Sequence, residues 1–168
     1  GDFYFPGSPI LSVRGTFAEC VILETLILSI LNHDSAIASA AARMVSAAGG
    51  RRMIEMGSRR THEQAAVAAS RAAYLAGFDA TSNLEAARRH DVPSAGTSAH
   101  AFTLLHTTDD GPDEAAAFRG QVAALGVSTT LLVDTYDITE GVKTAVAVAG
   151  PELGGVRIDS GDLGRSEE

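Results

Sequence analysis

The stretch that decides the fold reads Thr-Thr-Leu-Leu-Val-Asp-Thr-Tyr-Asp and spans residues 129–137. Its first five residues are β-branched or apolar, which is typical of a buried strand. A helix is predicted over residues 139–149, and a second short strand over residues 156–158. Strand, helix and strand in this order predict a parallel pair of strands joined by a crossover helix.

The same alternation extends back to about residue 50 and predicts a parallel sheet covered by helices. Before it, Thr16 and Glu19 have the spacing of a helix-capping box. The predicted helices span residues 16–31, 34–48, 63–75, 84–89 and 112–125, and the further predicted strands span residues 10–14, 52–56 and 92–95. We predict one α/β domain over residues 1–168, in which residues 1–15 form a loop and strand leading in, and residues 16–168 supply helices and sheet strands.

Charge and cysteine content exclude several classes of function. The chain has 13 Lys and Arg against 21 Asp and Glu, a net charge of −8, which argues against nucleic-acid binding. A few arginines can still bind a small anion. The single cysteine, Cys20, excludes an intrachain disulfide and is typical of the reducing cytoplasm. The apolar run over residues 21–31 falls short of the roughly 20 residues that cross a bilayer, and no signal-peptide pattern is present, so we expect no membrane partner.

Polar clusters recur where predicted strands end. In α/β sheets and barrels, ligands bind at the carboxyl ends of the strands, so the clusters are predicted to form one site. They are Gly57–Arg60, Gly96–His100, Asp134–Asp137 and Arg157–Asp162.

Two kinds of basic residue in these clusters are candidates for chemistry. Arg59 and Arg60 can form bidentate contacts with phosphate or carboxylate; the alternative is a solvated helix start, although the helix dipole does not favour arginine there. His100 can act as a general base or as a nucleophile toward phosphate; the alternative is a histidine bonded to its neighbours at a helix start. The other four are interpreted as structural or surface residues: His33, His62, His90 and His106.

The acidic residues have a catalytic and a structural interpretation. Carboxylates can hold a magnesium–phosphate complex or ribose hydroxyls, but aspartate also caps helices well. Capping explains Asp137 better than it explains Asp134, which follows the strand directly. Ser160 and Gly161 form a small turn whose backbone N–H groups could reach an anion.

Five segments together resemble the nicotinate phosphoribosyltransferase family, in order and at similar spacing over nearly the whole chain. No single motif is specific, but their combination is. The segments are Glu55–Arg60, Gly77–Asn83, Gly96–Ala101, Leu132–Asp137 and Val156–Leu163.

This resemblance implies an irregular α/β barrel, of which the chain would be a part truncated at both ends. It also implies an enzyme of NAD biosynthesis that joins nicotinic acid to phosphoribosyl pyrophosphate, releasing pyrophosphate and giving nicotinate mononucleotide. ATP hydrolysis drives the family's reaction through a phosphohistidine, and Mg²⁺ accompanies the phosphates. Family members are commonly homodimers.

The resemblance assigns roles to particular residues. His100 matches the phosphohistidine, and Arg59 and Arg157 would line the pyridine and phosphate region. Asp134 and Asp159 would lie near the ribose, the pyrophosphate and Mg²⁺. Ser82 would lie near the pyridine carboxylate, and the remaining substrate-binding candidates are Thr97, Ser160 and Gly161. The roles of Arg60 and Asp162 stay open.

The departures from the family and the rival interpretations matter equally. A complete member is far longer, with an N-terminal aromatic residue that stacks on the pyridine and a later glycine-rich phosphate turn. The fragment alone is therefore expected to be inactive and to fold poorly or self-associate.

Nicotinamide or quinolinate phosphoribosyltransferase is the alternative in the same fold, and Ser82 favours nicotinate over nicotinamide. A non-catalytic α/β scaffold is the alternative from another class. An aldolase is disfavoured because the only lysine, Lys143, lies in a helix.

Overall fold

The computed structural model describes residues 2–166, which divide into two compact units, the first ending at Gly96 and the second beginning at Thr97. The first unit contains α1 (Phe17–Ala48), β1 (Ile54–Glu55), a 3₁₀ turn (Gly57–Arg59), α2 (Glu63–Leu75), β2 (Ala80–Thr81) and α3 (Leu84–His90). The second contains α4 (His100–Leu104), β3 (Thr107–Thr108), β4 (Gly111–Pro112), α5 (Glu114–Leu125), β5 (Thr130–Leu132), α6 (Ile138–Ala149), a 3₁₀ turn (Gly150–Glu152), β6 (Gly155–Arg157) and α7 (Leu163–Ser166). The single domain over residues 1–168 stays a prediction.

Small side chains build the core of the first unit. Ala41 of α1 and Ala73 of α2 are buried together with Phe78, because alanine faces let two helices approach closely. Beside this core, β1 pairs in parallel with β2, and Glu55 lies opposite Thr81. The pairing places the ends of both strands at one edge.

α1 corrects the prediction of two helices over residues 16–31 and 34–48. The predicted capping box of Thr16 and Glu19 is confirmed, but the helix then runs unbroken to Ala48. Its expected break contains His33 and Asp34, whose side chains bond each other at 3.1 Å, while Asp34 also pairs with Arg71 of α2 at 3.7 Å. These side-chain contacts occupy polar groups that would otherwise favour a turn.

By length and composition alone, α1 could cross a membrane. The apolar run that sequence analysis judged too short is thus part of a longer continuous helix. Core helices of soluble proteins meet the same two criteria, and Ala41 in the second half of α1 is buried against α2. Several large side chains in its first half, such as Phe17 and Ile22, are exposed.

Other predicted strands are shorter in the structure than predicted, or the prediction is wrong. Residues 10–14 form no strand, because a strand needs a hydrogen-bonded neighbour and no part of residues 2–166 pairs with them. Residues 92–95 contribute only a bridge from Ser94 to Thr81. Pro112 belongs to β4 instead of the first turn of α5, which Asp113 caps.

The second unit contains the predicted parallel pair and its crossover helix. β5 and β6 are parallel, with Leu131 opposite Val156, and α6 connects them. Helix and strand side chains form the core: Phe118, Leu131, Val133, Ala145 and Ala149. The α/β class predicted from the alternation of strands and helices is therefore confirmed.

Glu114 in the first turn of α5 is a local weak point. Burial raises the pKa of its carboxyl, and its buried Oε1 has no hydrogen-bond partner within residues 2–166. A raised folded-state pKa means that ionisation opposes folding, so the penalty is absent below the ordinary value of 4.5 and appears as pH rises through the higher folded value.

We expect Glu114→Gln to raise the free energy of unfolding at pH 7 by less than about 1 kcal/mol, because the group is only partly buried. The gain should disappear below pH ~4. Glu140→Gln is the matched control, since this exposed first-turn residue of α6 pairs with Lys143 at 2.7 Å and its loss should be neutral or slightly destabilising. Denaturant unfolding at both pH values checks this, and equal effects of the two variants at pH 7 would contradict it.

Candidate active site

Two of the candidate carboxylates follow the parallel strands of the second unit at equivalent positions. In the β5–β6 pair, Leu132 lies opposite Arg157. Asp134 comes two residues after β5, and Asp159 comes two residues after β6. Because the strands run in the same direction, their carboxyl ends meet at one edge, and the Asp159 backbone N–H donates to Asp134 Oδ2 at 2.8 Å.

The carboxylate of Asp134 is the most constrained group at this edge. Its side chain is 1% exposed. Oδ2 accepts from the Asp159 N–H and from Ser160 Oγ at 2.6 Å, and Oδ1 contacts His100 Nε2 at 3.0 Å. Burial raises the pKa of Asp134, but the hydrogen bonds from Ser160, Asp159 and His100 together outweigh it and lower the pKa below its usual value. Asp134 is therefore an ionised acceptor at neutral pH.

His100 combines a buried partner with an open face. Its side chain is 36% exposed, and it is the first residue of α4. An ionised, buried Asp134 oxygen facing Nε2 selects the tautomer in which Nε2 carries the hydrogen. Nδ1 then keeps its lone pair, and it makes no hydrogen bond within the described part of the chain. The arrangement can serve nucleophilic or acid–base chemistry at Nδ1.

Arg157 connects two more candidate residues. Its Nη1 donates to Thr97 Oγ1 at 2.5 Å, and its Nη2 pairs with Asp159 Oδ1. The Arg157 side chain is 22% exposed. These two contacts hold the guanidinium in place, and its remaining N–H groups can still meet an anion. Gly161 follows Ser160 in the chain and has a φ of +82°, a left-handed conformation that favours glycine.

The carboxylates do not by themselves form a metal centre. Within residues 2–166, no three His, Cys, Asp or Glu side chains are grouped as metal ligands. Asp134 has both oxygens occupied by donors and is closed to solvent. Asp159 is 31% exposed and uses only Oδ1. The residues fit a magnesium ion that arrives bound to phosphates and takes one protein carboxylate.

The remaining candidates lie in the first unit. Arg59 ends the 3₁₀ turn that follows β1, and Ser82 follows β2. Both residues are exposed, and the backbone N–H of Ser82 donates to the Glu55 carbonyl at 2.9 Å. A second link joins the two turns, from Asn83 Nδ2 to Ser58 Oγ at 3.0 Å.

Comparison with known proteins gives concordant results in sequence and structure. No protein-family model matches the chain. A curated Mycobacterium tuberculosis protein, nicotinate phosphoribosyltransferase pncB1, is 73% identical over 167 residues, covering 98% of this chain and 37% of that protein. The crystal structure of human nicotinic acid phosphoribosyltransferase superposes with a TM-score of 0.78 at 32% identity, covering 95% of this chain and 42% of that one. The crystal structure of nicotinate-nucleotide pyrophosphorylase from Pyrococcus furiosus gives 0.69 at 28% identity, covering 77% and 33%.

The chain belongs to the nicotinate phosphoribosyltransferase family. It spans 37% of the length of its Mycobacterium tuberculosis relative. The family resemblance found in the five sequence segments is confirmed, and so is the fold class that it implied.

For this nicotinate phosphoribosyltransferase family member, the structure groups the candidate residues by unit. In the second unit it brings together residues up to 60 positions apart, and in the first it joins the turns that carry Arg59 and Ser82. The grouped residues of the second unit are Thr97, His100, Asp134, Arg157, Asp159 and Ser160. Their individual roles in the family's reaction stay predictions.

Sequence reasoning missed a buried glutamine of this family member. Gln121 of α5 is 5% exposed; its Oε1 accepts from Ser98 Oγ at 2.7 Å, and its Nε2 donates to the Thr130 carbonyl at 2.9 Å. It thus ties the loop before His100 to β5. The available signal was its position three residues after Phe118, on the apolar face of a helix.

Proposed function

We propose that this chain carries active-site residues of an enzyme that joins nicotinic acid to phosphoribosyl pyrophosphate, giving nicotinate mononucleotide and pyrophosphate for NAD biosynthesis. The observation that carries the proposal is the His100–Asp134 pair, anchored by the Asp159 N–H and Ser160. It occurs in a chain 73% identical to a protein named for this activity.

ATP is the proposed co-substrate, with His100 as the phosphorylated residue. Nδ1 attacks the γ-phosphorus, the bond from that phosphorus to the bridging oxygen breaks, and ADP leaves with the bond electrons. Water later cleaves the phosphorus–nitrogen bond and yields inorganic phosphate. Asp134 supports both steps because its charge stabilises the imidazolium that forms.

Arginine and magnesium would neutralise the departing pyrophosphate. As the bond to pyrophosphate breaks, positive charge develops on the ribose and negative charge on the leaving group. Arg157, which Thr97 and Asp159 hold, would meet the phosphate oxygens. A magnesium ion bound to the pyrophosphate supplies further positive charge, with Asp159 as the carboxylate that could hold it.

Nicotinate is favoured over nicotinamide on chemical grounds. The Ser82 hydroxyl can donate to a substrate carboxylate, and the exposed guanidinium of Arg59 makes no ion pair within residues 2–166 and can pair with it. A substrate amide would instead need an acceptor for its N–H groups.

The homodimeric state and cytoplasmic location implied by the resemblance are part of the proposal. The single cysteine supports a reducing compartment. The net charge of −8 argues against nucleic acid as a partner.

The deciding experiment uses the full-length protein that carries this chain. With nicotinic acid, phosphoribosyl pyrophosphate, Mg²⁺ and ATP, we expect nicotinate mononucleotide by mass spectrometry, and His100→Ala should lose the ATP-dependent gain entirely because no nitrogen remains to accept phosphate. His106→Ala is the matched control: this histidine also lies in the second unit, where its Nδ1 contacts the Phe102 carbonyl at 2.9 Å, and its loss should leave the ATP gain in place.

Each outcome separates the alternatives. Product from nicotinamide but not from nicotinate would reject the substrate and keep the reaction class. No product from either would favour the non-catalytic scaffold. An unchanged ATP gain in His100→Ala would reject the phosphohistidine.

A further inference from the structure

A buried carboxylate, that of Glu55, lies between the turn that carries Arg59 and the turn that carries Ser82. Glu55 is the last residue of β1 and is 9% exposed. Its Oε1 accepts from the Gly57 N–H at 2.5 Å, and its Oε2 accepts from Ser70 Oγ at 2.6 Å and Thr81 Oγ1 at 2.7 Å. Within residues 2–166 it forms no ion pair, so three neutral donors hold the buried carboxylate in place.

These hydrogen bonds reach both turns. Gly57 begins the 3₁₀ turn that ends in Arg59, so Oε1 holds the start of that turn. Thr81 Oγ1 accepts from the Asn83 N–H at 3.0 Å while donating to Oε2. One carboxylate therefore connects the turn that bears Arg59 with the turn that bears Ser82.

A carboxylate accepts from every donor at this position. Oε1 faces the Gly57 backbone N–H, which cannot reverse its role, and Oε2 accepts from two hydroxyls. A glutamine presents one amino group in place of an oxygen, so at least one of the three hydrogen bonds must be lost or rearranged. Removing the side chain would leave the Gly57 N–H without its acceptor, while the Ser70 hydroxyl could still donate to the Ala66 carbonyl and the Thr81 hydroxyl to Ser70 Oγ.

We propose that Glu55 is a positioning residue for nicotinate binding: through Gly57 and Thr81 it sets the spacing between Arg59 and Ser82. The inference rests on the proposed function, which supplies the substrate that these two side chains would bind. Glu55 itself touches no substrate. It acts by fixing the relative placement of one cationic and one hydroxyl donor, and a displacement of about 1 Å in such a pair can cost up to about a hundredfold in efficiency.

The test compares two hydroxyl deletions at the same oxygen. Thr81→Val removes the hydroxyl that links Oε2 to the Asn83 N–H. Ser70→Ala removes a hydroxyl that fastens Oε2 to α2; this hydroxyl also contacts Thr81 Oγ1 at 3.1 Å, but it bonds no backbone group of either turn. Both residues are fully buried, so the stability costs should be similar. In the full-length protein we expect the KM for nicotinate to rise about tenfold or more in Thr81→Val and to stay within about twofold of wild type in Ser70→Ala.

Two further variants complete the design. Glu55→Gln should raise the KM for nicotinate more than the KM for phosphoribosyl pyrophosphate, and Thr81→Ser should restore the nicotinate KM because it returns the hydroxyl. Circular dichroism and thermal melting confirm folding of each variant. Thr81→Val and Ser70→Ala with equal melting losses and unchanged nicotinate KM would overturn the inference and leave the proposed function intact, whereas a wild-type protein that makes no nicotinate mononucleotide would overturn both.

Discussion

Asp134→Asn is expected to reduce the ATP-dependent gain in nicotinate mononucleotide synthesis by about 10³-fold or more, the order seen when a histidine is held in the wrong tautomer. The reason lies in how the two oxygens of Asp134 are used. Oδ2 accepts from the Asp159 N–H and from Ser160, so the carbonyl oxygen of asparagine must stay there. Its amino group then faces His100 Nε2 and donates to it.

This reversal changes the chemistry of His100. With Nε2 as an acceptor, the ring hydrogen moves to Nδ1, and Nδ1 loses the lone pair that would attack phosphorus. The measurement is the transfer of labelled phosphate from ATP to the full-length protein, followed together with product formation.

The control for this variant is Asp137→Asn. Asp137 caps α6, where its Oδ1 accepts from the Glu140 N–H at 2.9 Å, and asparagine caps as well as aspartate. Labelling and product formation should therefore be unchanged. Full labelling of Asp134→Asn would show that the Asp134 contact does not set the reactive nitrogen of His100.

Gly141→Ala is expected to destabilise the protein by about 1–3 kcal/mol, the usual range for overpacking a tight core. Gly141 lies in α6 directly against the residue that follows β5, and an added Cβ would lie 2.4 Å from the Val133 carbonyl oxygen. That atom belongs to the backbone, so neither side can yield without moving the strand or the helix. Val133 immediately precedes Asp134, so the displacement should also weaken the ATP gain.

Gly120→Ala in α5 is the matched control. A Cβ there would approach no atom outside its own helix backbone closer than 3.7 Å, the distance to Phe102 Cζ, and alanine is the better helix former by about 1 kcal/mol. We expect it to be neutral or stabilising. Denaturant unfolding of both variants checks the pair, and a Gly141→Ala protein as stable as Gly120→Ala would contradict the close approach of α6 to β5.

Only the long-range structure decided the site contacts and the continuity of α1. The His100–Asp134 contact joins residues 34 positions apart, and the Arg157–Thr97 contact joins residues 60 apart. All four residues were candidates from the sequence alone, but the contact of Asp134 with His100 depends on where β5 ends in space. Glu55 lies in one of the five family segments, but no role was predicted for it. Its hydrogen-bond donors Ser70 and Thr81 lie on α2 and β2, and no local sequence pattern indicates these contacts.

The sequence by itself determined what depends on neighbouring residues. The capping box of Thr16 and Glu19, the cap at Asp137 and the helix over residues 63–75 all appear as predicted, because each is set by hydrogen bonds or propensities within a few residues. The tertiary structure decided the rest: Asp34 pairs with Arg71 of α2 where a break in α1 was predicted, and residues 10–14 remain unpaired within residues 2–166. Contacts between distant segments outweigh a weak local preference because they bury and pair groups that the local chain cannot satisfy alone.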